Sequence, residues 1–400
     1  MNKRLMNLIE IIRYVVKQAV ESIEYIVWNI VLFRAKDRTN RLKVNGRIPK
    51  KILLVQLNSI GDVLMSTPVL KSLRDRFTGS EIGVLTLPHT AVLLEKDPCV
   101  DRIFTYVDRF WRKMIFDPRL FRNSVKTIKL LKKTRYDLCI DLGGTFGSVI
   151  CALLSDAACV VGPKREVKSG VFKSNTRNFY NRAVELKQKH ILRQYLEITA
   201  EFGCSASIEK EKFYISEQDK KKAEMFFEEN GLEKENFVAM HPGAKWPPKR
   251  WPAEYFARLV KMMFDGEGLI TVLVGSPSDE PLLKAIKDKT EIPQTVLACD
   301  LGLGELGVVI SRSRVFVGND SGPAHIAAGV GAPSVLLFGP TDPETCAPVA
   351  DRNIVLHNRI SCWPCTLYYR RDRCESGENE CLKNIDPEKV HAATKELMEG

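Results

Sequence analysis

The sequence predicts an α/β protein of two consecutive doubly wound domains that face each other across a cleft. Short apolar runs of strand length alternate with helical patterns twice along the chain, and the pattern breaks at 204–215. This alternation is typical of parallel sheets. A chain of 400 residues also exceeds what one hydrophobic core usually organises. Polar loops follow several of the apolar runs, as expected where the strands of an open sheet end at a ligand site.

These patterns divide the chain into four segments. We expect an N-terminal amphipathic helix with a linker over 1–45, a first domain over 46–208, a second over 209–385 and a final helix over 386–400. The N-terminal helix is inferred from apolar residues at helical spacing, which charged residues interrupt too often for a transmembrane span. Two interpretations stay open for it: contact with an anionic membrane face, or packing on its own protein or a second copy.

The chain is basic, with a formal net charge of +11 and a pI near 9.0, which suits an anionic partner. The basic residues are spread along the chain without an RNA- or DNA-binding motif, so we expect no nucleic-acid partner. The eleven cysteines are odd in number, and several lie within apolar runs. They favour a reducing compartment over a disulfide framework. No signal peptide is expected, because the N-terminus lacks a clean apolar block and a cleavage site.

The first domain begins with an apolar strand at 52–57, followed by a loop at 58–62 and a helix that should run to about Phe77. Asp62 lies at the end of this loop, where a carboxylate shielded by a cleft can act as a general base. The alternative is that Asp62 only caps the helix. Further along, the basic and aromatic segment 108–130 is interpreted as an insertion over the sheet edge.

The stretch 314–342 of the second domain is typical of a strand, a loop, a helix, a second strand and a second loop. The first loop consists of polar or small residues, namely Asn319, Asp320, Ser321 and Gly322. Pro323 suits the first turn of the following helix, and His325 lies within it. A carboxylate, a hydroxyl and backbone N–H groups thus meet at the positive end of a helix, where open α/β sheets bind anions. Ligand binding is therefore favoured over a simple helix cap.

The segment 241–252 follows the first strand of the second domain and should lie beside that loop. Its glycine and prolines hold the backbone open, while Lys245, Lys249 and Arg250 offer cations to a diphosphate. The alternative is a solvated basic turn held down by its two tryptophans. The shared sheet edge favours phosphate binding.

Residues 302–307 spell GxGxxG but precede the fourth strand of their domain. A dinucleotide fingerprint instead opens the first strand–helix unit. Leu301 and Leu303 look like packing residues, so we do not expect dinucleotide binding.

Four cysteines near the C-terminus form the pattern C-x2-C-x8-C-x6-C: Cys362, Cys365, Cys374 and Cys381. They resemble a structural zinc site, although no second C-x2-C completes the usual spacing. Free thiols around a loop and a redox pair are the alternatives.

Three ordered motifs carry a family resemblance: KILLVQLNSIGDVLMSTP at 51–68, HPGA with KRWP at 241–252, and VGNDSGPAHIAA with FGPTDP at 317–343. Together they resemble glycosyltransferase family 9, the ADP-heptose:lipopolysaccharide heptosyltransferases. The resemblance covers roughly residues 50–390 and leaves the N-terminal helix outside. It implies a GT-B fold of two Rossmann-like domains, with the donor held mainly by the second.

The resemblance also implies roles for individual residues. Asp62 matches the catalytic aspartate that deprotonates the acceptor hydroxyl, Lys249 the lysine that stabilises the leaving diphosphate, and Asp320 the aspartate that holds the donor sugar. Asp279 stands where the family usually has a glutamate near the ribose. The other expected donor-binding residues are Ser321, Gly322, His325, Thr341 and Gly243.

The implied activity is inverting transfer of a sugar, typically heptose, from ADP-heptose to the inner core of lipopolysaccharide, with no cofactor required for catalysis. The expected partners are an ADP-sugar donor and a lipid-linked anionic saccharide at the cytoplasmic face of the inner membrane, where the protein would be peripheral. Two alternatives stay open: a GT-B relative that uses another nucleotide sugar or acts without an acceptor, and a binding protein that has lost transfer.

Overall fold

The computed structural model describes residues 48–107, 118–169, 172–207, 209–232, 236–365, 374 and 379–399. The predicted N-terminal helix within 1–45 lies outside these residues. The described chain forms two parallel six-stranded sheets with helices packed on them and a separate two-stranded hairpin. The predicted class of two Rossmann-like domains is confirmed. Within the described residues, no helix is both long enough and apolar enough to cross a bilayer.

The first sheet has the strand order β3-β2-β1-β4-β5-β8, and each neighbouring pair is parallel. Its strands are β1 Lys51–Gln56, β2 Glu81–Thr86, β3 Arg102–Thr105, β4 Leu138–Asp141, β5 Cys159–Pro163 and β8 Arg182–Val184. The hairpin consists of β6 Glu166–Ser169 and β7 Phe172–Asn175. The helices are α1 Ile60–Leu64, α2 Thr67–Arg76, α3 Pro118–Thr134, α4 Phe146–Leu154 and α5 Ile191–Ala200.

The second sheet has the order β11-β10-β9-β12-β13-β14 and is also parallel. Its strands are β9 Phe237–His241, β10 Ile270–Val274, β11 Val296–Ala298, β12 Phe316–Asn319, β13 Ser334–Phe338 and β14 Asn353–His357. The larger helices are α6 Glu217–Asn230, α7 Ala253–Glu267, α8 Glu280–Thr290, α9 Leu303–Arg312, α10 Gly322–Val330 and α13 Pro387–Glu399. Two further helices of this domain are single turns, α11 Pro343–Cys346 and α12 Glu380–Lys383.

Strand β1 shows why the apolar runs become central strands. Ile52 and Leu54 pack into one hydrophobic cluster, and Leu53 and Val55 pack into another on the opposite face. All four side chains are fully buried, as expected for a parallel strand with helices on both faces. The strand order reverses beside β1 in one sheet and beside β9 in the other. Such switch points open the crevice in which α/β sheets bind ligands.

The first helix of the described residues differs from its prediction. Helix α1 begins at Ile60, so Asp62 lies in the first helical turn and not in a loop. The helix also ends at Leu64, and α2 starts at Thr67 with Pro68 in its first turn. Proline lacks the N–H that a continuous helix would need, but it suits the start of a new one.

The prediction that 108–130 is an insertion over the sheet edge is wrong for 118–130, while 108–117 lie outside the described residues. From Pro118 onward the chain forms α3, the crossover helix that joins β3 to β4. Its apolar residues Ile128 and Leu131 pack on the first sheet. The abundance of basic residues concealed a helical stripe of apolar ones.

Candidate active site

The candidate site lies where helix α1 of the first domain meets helix α10 of the second. A Cβ atom added at Gly61 would lie 2.6 Å from Cδ2 of His325, and one added at Gly322 would lie 3.0 Å from Cβ of Ile60. The absence of a side chain at Gly61 therefore permits this approach of the two helices. As a result, the residues that follow β1 and β12 face each other across one cleft.

Asp62 caps the first turn of α1, which was the alternative role that its position in the sequence suggested. Its Oδ2 accepts hydrogen bonds from the backbone N–H of Ser59, at 3.2 Å, and from the Ser59 hydroxyl, at 2.6 Å. The amide of Gln56 donates to its backbone oxygen at 3.1 Å. These contacts fix the carboxylate at the cleft. The capping role is confirmed, and the role as a general base stays a prediction.

Tyr195 is a site residue that sequence reasoning missed. It belongs to α5, its side chain is buried, and its hydroxyl donates to Oδ1 of Asp62 at 3.2 Å. Burial and the charge of Asp62 raise the pKa of Tyr195 well above its usual value, so the phenol stays protonated. The hydroxyl also has hydrogen-bonding neighbours in Gln56 and Asn58. Tyr195 therefore orients the oxygen of Asp62 that Ser59 does not hold.

Lys249, Asp320 and Thr341 form a nearly buried polar cluster on the second domain. The ammonium of Lys249 donates to Oδ2 of Asp320 at 2.6 Å, and the Thr341 hydroxyl donates to the same oxygen. The side chains of Lys249 and Asp320 are only 14% and 8% exposed, so solvent screens this ion pair little. No described residue donates to Oδ1 of Asp320. The structure thus brings together three of the predicted residues from three separate segments, each following a strand of the second sheet.

The segment 241–252 lies beside the 319–322 loop, as predicted. The side chain of Asn319 accepts from the backbone of Trp251 at 3.0 Å and donates to the carbonyl of Pro242 at 2.8 Å. The Ser321 hydroxyl lies 3.1 Å from Nδ1 of His241. Burial lowers the pKa of His241 to about 4, so this imidazole is neutral at neutral pH. Phosphate binding by the segment stays a prediction.

Ser321 is the N-cap residue of α10, but its side chain does not cap the helix. Its hydroxyl is directed toward His241 and the Asn319 carbonyl instead. Because helix N–H groups without a side-chain cap attract anions, the start of α10 suits an anionic ligand.

Asp279 and Gly243 lie together at the rim of this region. A Cβ at Gly243 would lie 3.0 Å from Oδ1 of Asp279. The backbone and hydroxyl of Ser276 donate to Oδ2 of Asp279 at 3.0 and 2.6 Å. Burial works against the charge of Asp279, but these hydrogen bonds outweigh it and hold the pKa below its usual value. Asp279 is thus an ionised acceptor close to the predicted donor site, and its contact with a ribose stays a prediction.

His325 lies inside the contact between the domains. Its Nδ1 is 3.0 Å from Oε2 of Glu211, a fully buried residue of the connection between the two sheets. Burial alone would lower the pKa of His325, but the charge and hydrogen bond of Glu211 outweigh it and raise the pKa. Glu211 also accepts from the backbone of Val349 at 3.2 Å. The pair thus ties the connecting segment to α10, and donor binding by His325 stays a prediction.

The four C-terminal cysteines do not define a metal centre in the described part of the chain. Cys362 is exposed and Cys381 is buried, and burial raises the pKa of Cys381 to about 11. No three His, Cys, Asp or Glu side chains among the described residues are grouped to hold a metal ion. Residues 366–373 and 375–378, which lie between these cysteines, are outside the described residues. The zinc site stays a prediction.

The GxGxxG sequence at 302–307 serves packing, as predicted. Gly302 caps helix α9, and Leu301 and Leu303 pack against the core. Added Cβ atoms at Gly304 and Gly307 would collide with Asp219 and Phe213. These glycines therefore allow close contact with α6 and the segment before it.

Comparison with known proteins agrees with this architecture. Residues 124–374 match the sequence model of glycosyltransferase family 9 (heptosyltransferase). The chain is 25% identical over 330 residues to lipopolysaccharide heptosyltransferase 3 of Escherichia coli, and the alignment covers 82% of this chain and 93% of that protein. It is also 25% identical over 355 residues to lipopolysaccharide heptosyltransferase 2 of Escherichia coli K12, and that alignment covers 85% of this chain and 96% of that protein.

Solved structures share the fold. The glycosyl transferase family 9 protein from Veillonella parvula DSM 2008 superposes with a TM-score of 0.75 at 23% identity, covering 90% of this chain and 99% of that one. ADP-heptose lps heptosyltransferase II of Escherichia coli superposes with a TM-score of 0.68 at 22% identity, and the superposition covers 87% of this chain and 98% of that one. Because both identities are low, these likenesses establish the architecture alone.

Proposed function

The chain belongs to glycosyltransferase family 9 and is a glycosyltransferase. We propose that it transfers a heptose from ADP-heptose to the inner core of lipopolysaccharide. We further propose that transfer inverts the anomeric centre and needs no metal ion. The proposal depends on one observation: Asp62 on α1 and the Lys249–Asp320 pair beside α10 lie on the two domains where those helices meet. Two relatives are named lipopolysaccharide heptosyltransferases, and these names support the choice of sugar and acceptor.

On the acceptor side, Asp62 acts as the general base. Its carboxylate takes the proton of the acceptor hydroxyl while the hydroxyl oxygen bonds to the anomeric carbon of the donor. The bond from that carbon to the diphosphate oxygen breaks on the opposite face, and ADP leaves with the electron pair. Hydrogen bonds from Ser59 and Tyr195 hold the carboxylate in place, so little reorganisation accompanies the step. A base opposite the leaving group gives inversion.

On the donor side, the diphosphate lies at the start of α10 and beside the segment 241–252. Lys249 neutralises the charge that develops on the leaving diphosphate, and the helix N–H groups at Ser321 and Gly322 assist it. Oδ1 of Asp320 accepts a hydroxyl of the donor sugar, while Lys249 and Thr341 hold Oδ2. A cation and a helix end together perform the work that a divalent metal performs in other phosphate sites.

The acceptor in this proposal is a lipid-linked, phosphorylated saccharide, and the enzyme is peripheral at the cytoplasmic face of the inner membrane. The formal net charge of +11 suits such an anionic surface. The predicted helix within 1–45 would add an apolar contact.

The experiment is a donor screen by titration calorimetry on the full chain with EDTA present. We expect selective binding of ADP-heptose and ADP over UDP-sugars and GDP-sugars. Lys249→Ala and Asp320→Ala should each weaken binding of ADP-heptose about tenfold or more, since each removes a charge-assisted contact worth about 1.5–3 kcal/mol. Lys220→Ala, an exposed lysine on α6 that pairs with Glu217, is the matched control and should bind as the wild type.

Other outcomes would change the assignment. A preference for a UDP- or GDP-sugar would keep the site and overturn the donor. Release of ADP from the donor alone at a catalytic rate would favour an enzyme that works without an acceptor. Tight donor binding with no turnover on any acceptor would indicate a binding protein.

A further inference from the structure

Helix α3 has an unusual charge distribution. Its 17 residues include six lysines and arginines and no acidic residue. Five of the cations recur at intervals of three and four residues and occupy exposed positions, namely Arg119, Arg122, Lys126, Lys129 and Lys133. This spacing places them in one stripe along the helix. At a rise of about 1.5 Å per residue, the stripe is about 21 Å long.

Most of these cations have no counter-charge among the described residues. Arg122, Lys126, Lys129, Lys132 and Lys133 form no ion pair with any described residue. Lysines on other helices do pair with acids, for example Lys71 with Asp75 on α2 and Lys284 with Glu280 on α8. The contrast singles out α3 among the helices of the described chain.

Helix stability does not explain the stripe. Like charges three and four residues apart repel each other and destabilise a helix. Cations in the last turn of a helix interact favourably with its dipole, which accounts for Lys132 and Lys133 but not for Arg122, Lys126 and Lys129. No described residue forms an ion pair that offsets this repulsion at Arg122, Lys126 or Lys129, and an external anionic partner would offset it.

The basic surface continues beyond the end of α3. A shallow concavity of about 660 Å³ lies there, lined by Lys50, Lys51, Lys132, Lys133, Thr134, Arg135 and Asp137. Its one carboxylate is already engaged, because Oδ2 of Asp137 accepts from the backbone N–H groups of Lys50 and Lys51 at 2.8 and 2.9 Å. The concavity therefore presents cations to an incoming anion.

We propose that this surface, which we call the α3 basic face (the stripe together with Lys50, Lys132 and Arg135), docks the enzyme on anionic phospholipid headgroups. A convex stripe about 21 Å long matches an array of phosphates and not one small ligand. Leu130, 46% exposed beside the stripe, adds an apolar side chain that can enter the headgroup region. The inference rests on the proposed function, because a lipid-linked acceptor requires work at a membrane.

The topology gives this docking a consequence for the cleft. Helix α3 connects the carboxyl end of β3 to the amino end of β4, so it starts on the cleft side of the sheet and runs antiparallel to the strands. The Thr127 hydroxyl, which donates to the carbonyl of Thr105 at 3.0 Å, fixes it against β3. Docking along α3 therefore lays the strands of the first sheet roughly parallel to the bilayer, and the cleft opens alongside the membrane.

The test compares two triple variants of the full chain in vesicle co-sedimentation. Lys126→Gln/Lys129→Gln/Lys133→Gln changes the α3 basic face. Lys220→Gln/Lys221→Gln/Lys222→Gln changes three exposed lysines of α6, two of which pair with acids. Each variant removes three charges from the same net +11, and each keeps the segment 1–47, so any binding by that segment is common to both.

Vesicles of phosphatidylcholine are compared with vesicles that also contain phosphatidylglycerol. The wild type should bind the anionic vesicles and release them at high salt. The α3 triple variant should bind roughly a hundredfold more weakly, at about fivefold per cation, and the α6 triple variant should bind nearly as the wild type. The single variant Lys129→Gln, with an expected loss of about fivefold, keeps the test decisive if the triple variant folds poorly.

Several results would overturn the proposal. Equal losses in the two triple variants would show that net charge alone drives binding, and equal binding to neutral vesicles would remove the role of negative headgroup charge. Loss of RNA-duplex binding in the α3 variant with vesicle binding intact would assign the face to nucleic acid. Calorimetry with ADP-heptose separates the two proposals: normal donor binding with failed docking refutes only this inference, and failed donor binding with intact docking refutes only the proposed function.

Discussion

Tyr195→Phe tests whether the cleft holds Asp62 in place for catalysis. The change removes the hydroxyl that donates to Oδ1 of Asp62 at 3.2 Å and leaves the contacts of Ser59 with Oδ2 intact. A hydrogen bond to a charged group contributes about 1.5–3 kcal/mol. The 3.2 Å distance is long for an O–H···O⁻ contact, so we expect the lower value, which corresponds to roughly a tenfold change in rate.

The assay is steady-state transfer with saturating acceptor and varied ADP-heptose. We expect kcat to fall about tenfold, in line with the loss of one charge-assisted hydrogen bond. The KM for the donor should stay unchanged, because Tyr195 belongs to the first domain and the proposal places the donor on the second. A purely structural role would instead lower the amount of folded enzyme and leave kcat per active site unchanged. Titration of donor sites by calorimetry supplies the active-site count.

Tyr180→Phe is the matched control. Tyr180 is another buried tyrosine of the first domain, and its hydroxyl donates to Oδ2 of the buried Asp141 at 2.6 Å. Asp141 keeps hydrogen bonds from Ser148 and the backbone of Gly143, both at 2.9 Å. This variant should lose stability, by about 1–3 kcal/mol, with little change in kcat. Wild-type kcat in Tyr195→Phe, or equal losses of kcat in both variants, would refute the reasoning.

Two further predictions concern the contact between the domains. Gly61→Ala places a Cβ 2.6 Å from the His325 ring, so it should cost about 1–3 kcal/mol of unfolding free energy and lower kcat. Thermal melts and transfer assays measure the two effects. Gly79→Ala, which has open space around it, is the control and should change neither quantity. The raised pKa of His325 predicts that the stabilisation from its pair with Glu211 is fully present below the ordinary histidine value of 6.5 and is lost as the pH rises through the raised value. The free energy of unfolding, measured with urea at several pH values, should therefore fall over that window by at most about 1.4 kcal/mol per pH unit. Glu211→Gln should abolish this fall. If the variant loses stability with pH as steeply as the wild type, groups other than His325 and Glu211 cause the loss.

The parts of the site that lie next to strands could be predicted from the sequence. The apolar runs before Asp62, His241 and Asp320 form buried parallel strands, and the carboxyl ends of parallel strands share an edge. Their loops therefore had to meet, and the fold class followed from the same alternation. Asn319, which joins two of these loops, gave no separate signal because its role depends on tertiary geometry.

The residues that sequence reasoning missed act over long separations. Tyr195 contacts Asp62 across 133 residues, and Glu211 contacts His325 across 114. Tyr195 belongs to an ordinary amphipathic helix, and Glu211 belongs to a charged segment that should be solvated by its composition. Only the approach of α1 to α10 and the path of the connecting segment place these side chains in the core of the site.

Helix α3 was missed for a different reason. The basic and aromatic residues that precede it led to the wrong interpretation, although 118–134 itself contains six apolar residues beside its six cations, and Ile128 and Leu131 pack it on the sheet. Strands β6, β7 and β8 have only three or four residues each, too short for a clear alternation of apolar and polar side chains. Tertiary contacts, not local pattern, decide their conformation.

The most direct test of the account is transfer by Asp62→Asn. Wild-type enzyme and variant are given ADP-heptose and a lipid-linked core acceptor in the presence of EDTA, and the anomeric configuration of the product is determined by NMR. We predict that the wild type forms one product with inverted configuration, and that the variant binds ADP-heptose normally but transfers at least about a hundredfold more slowly. Near-normal transfer by the variant, a retained configuration, or activity that EDTA abolishes would contradict the account.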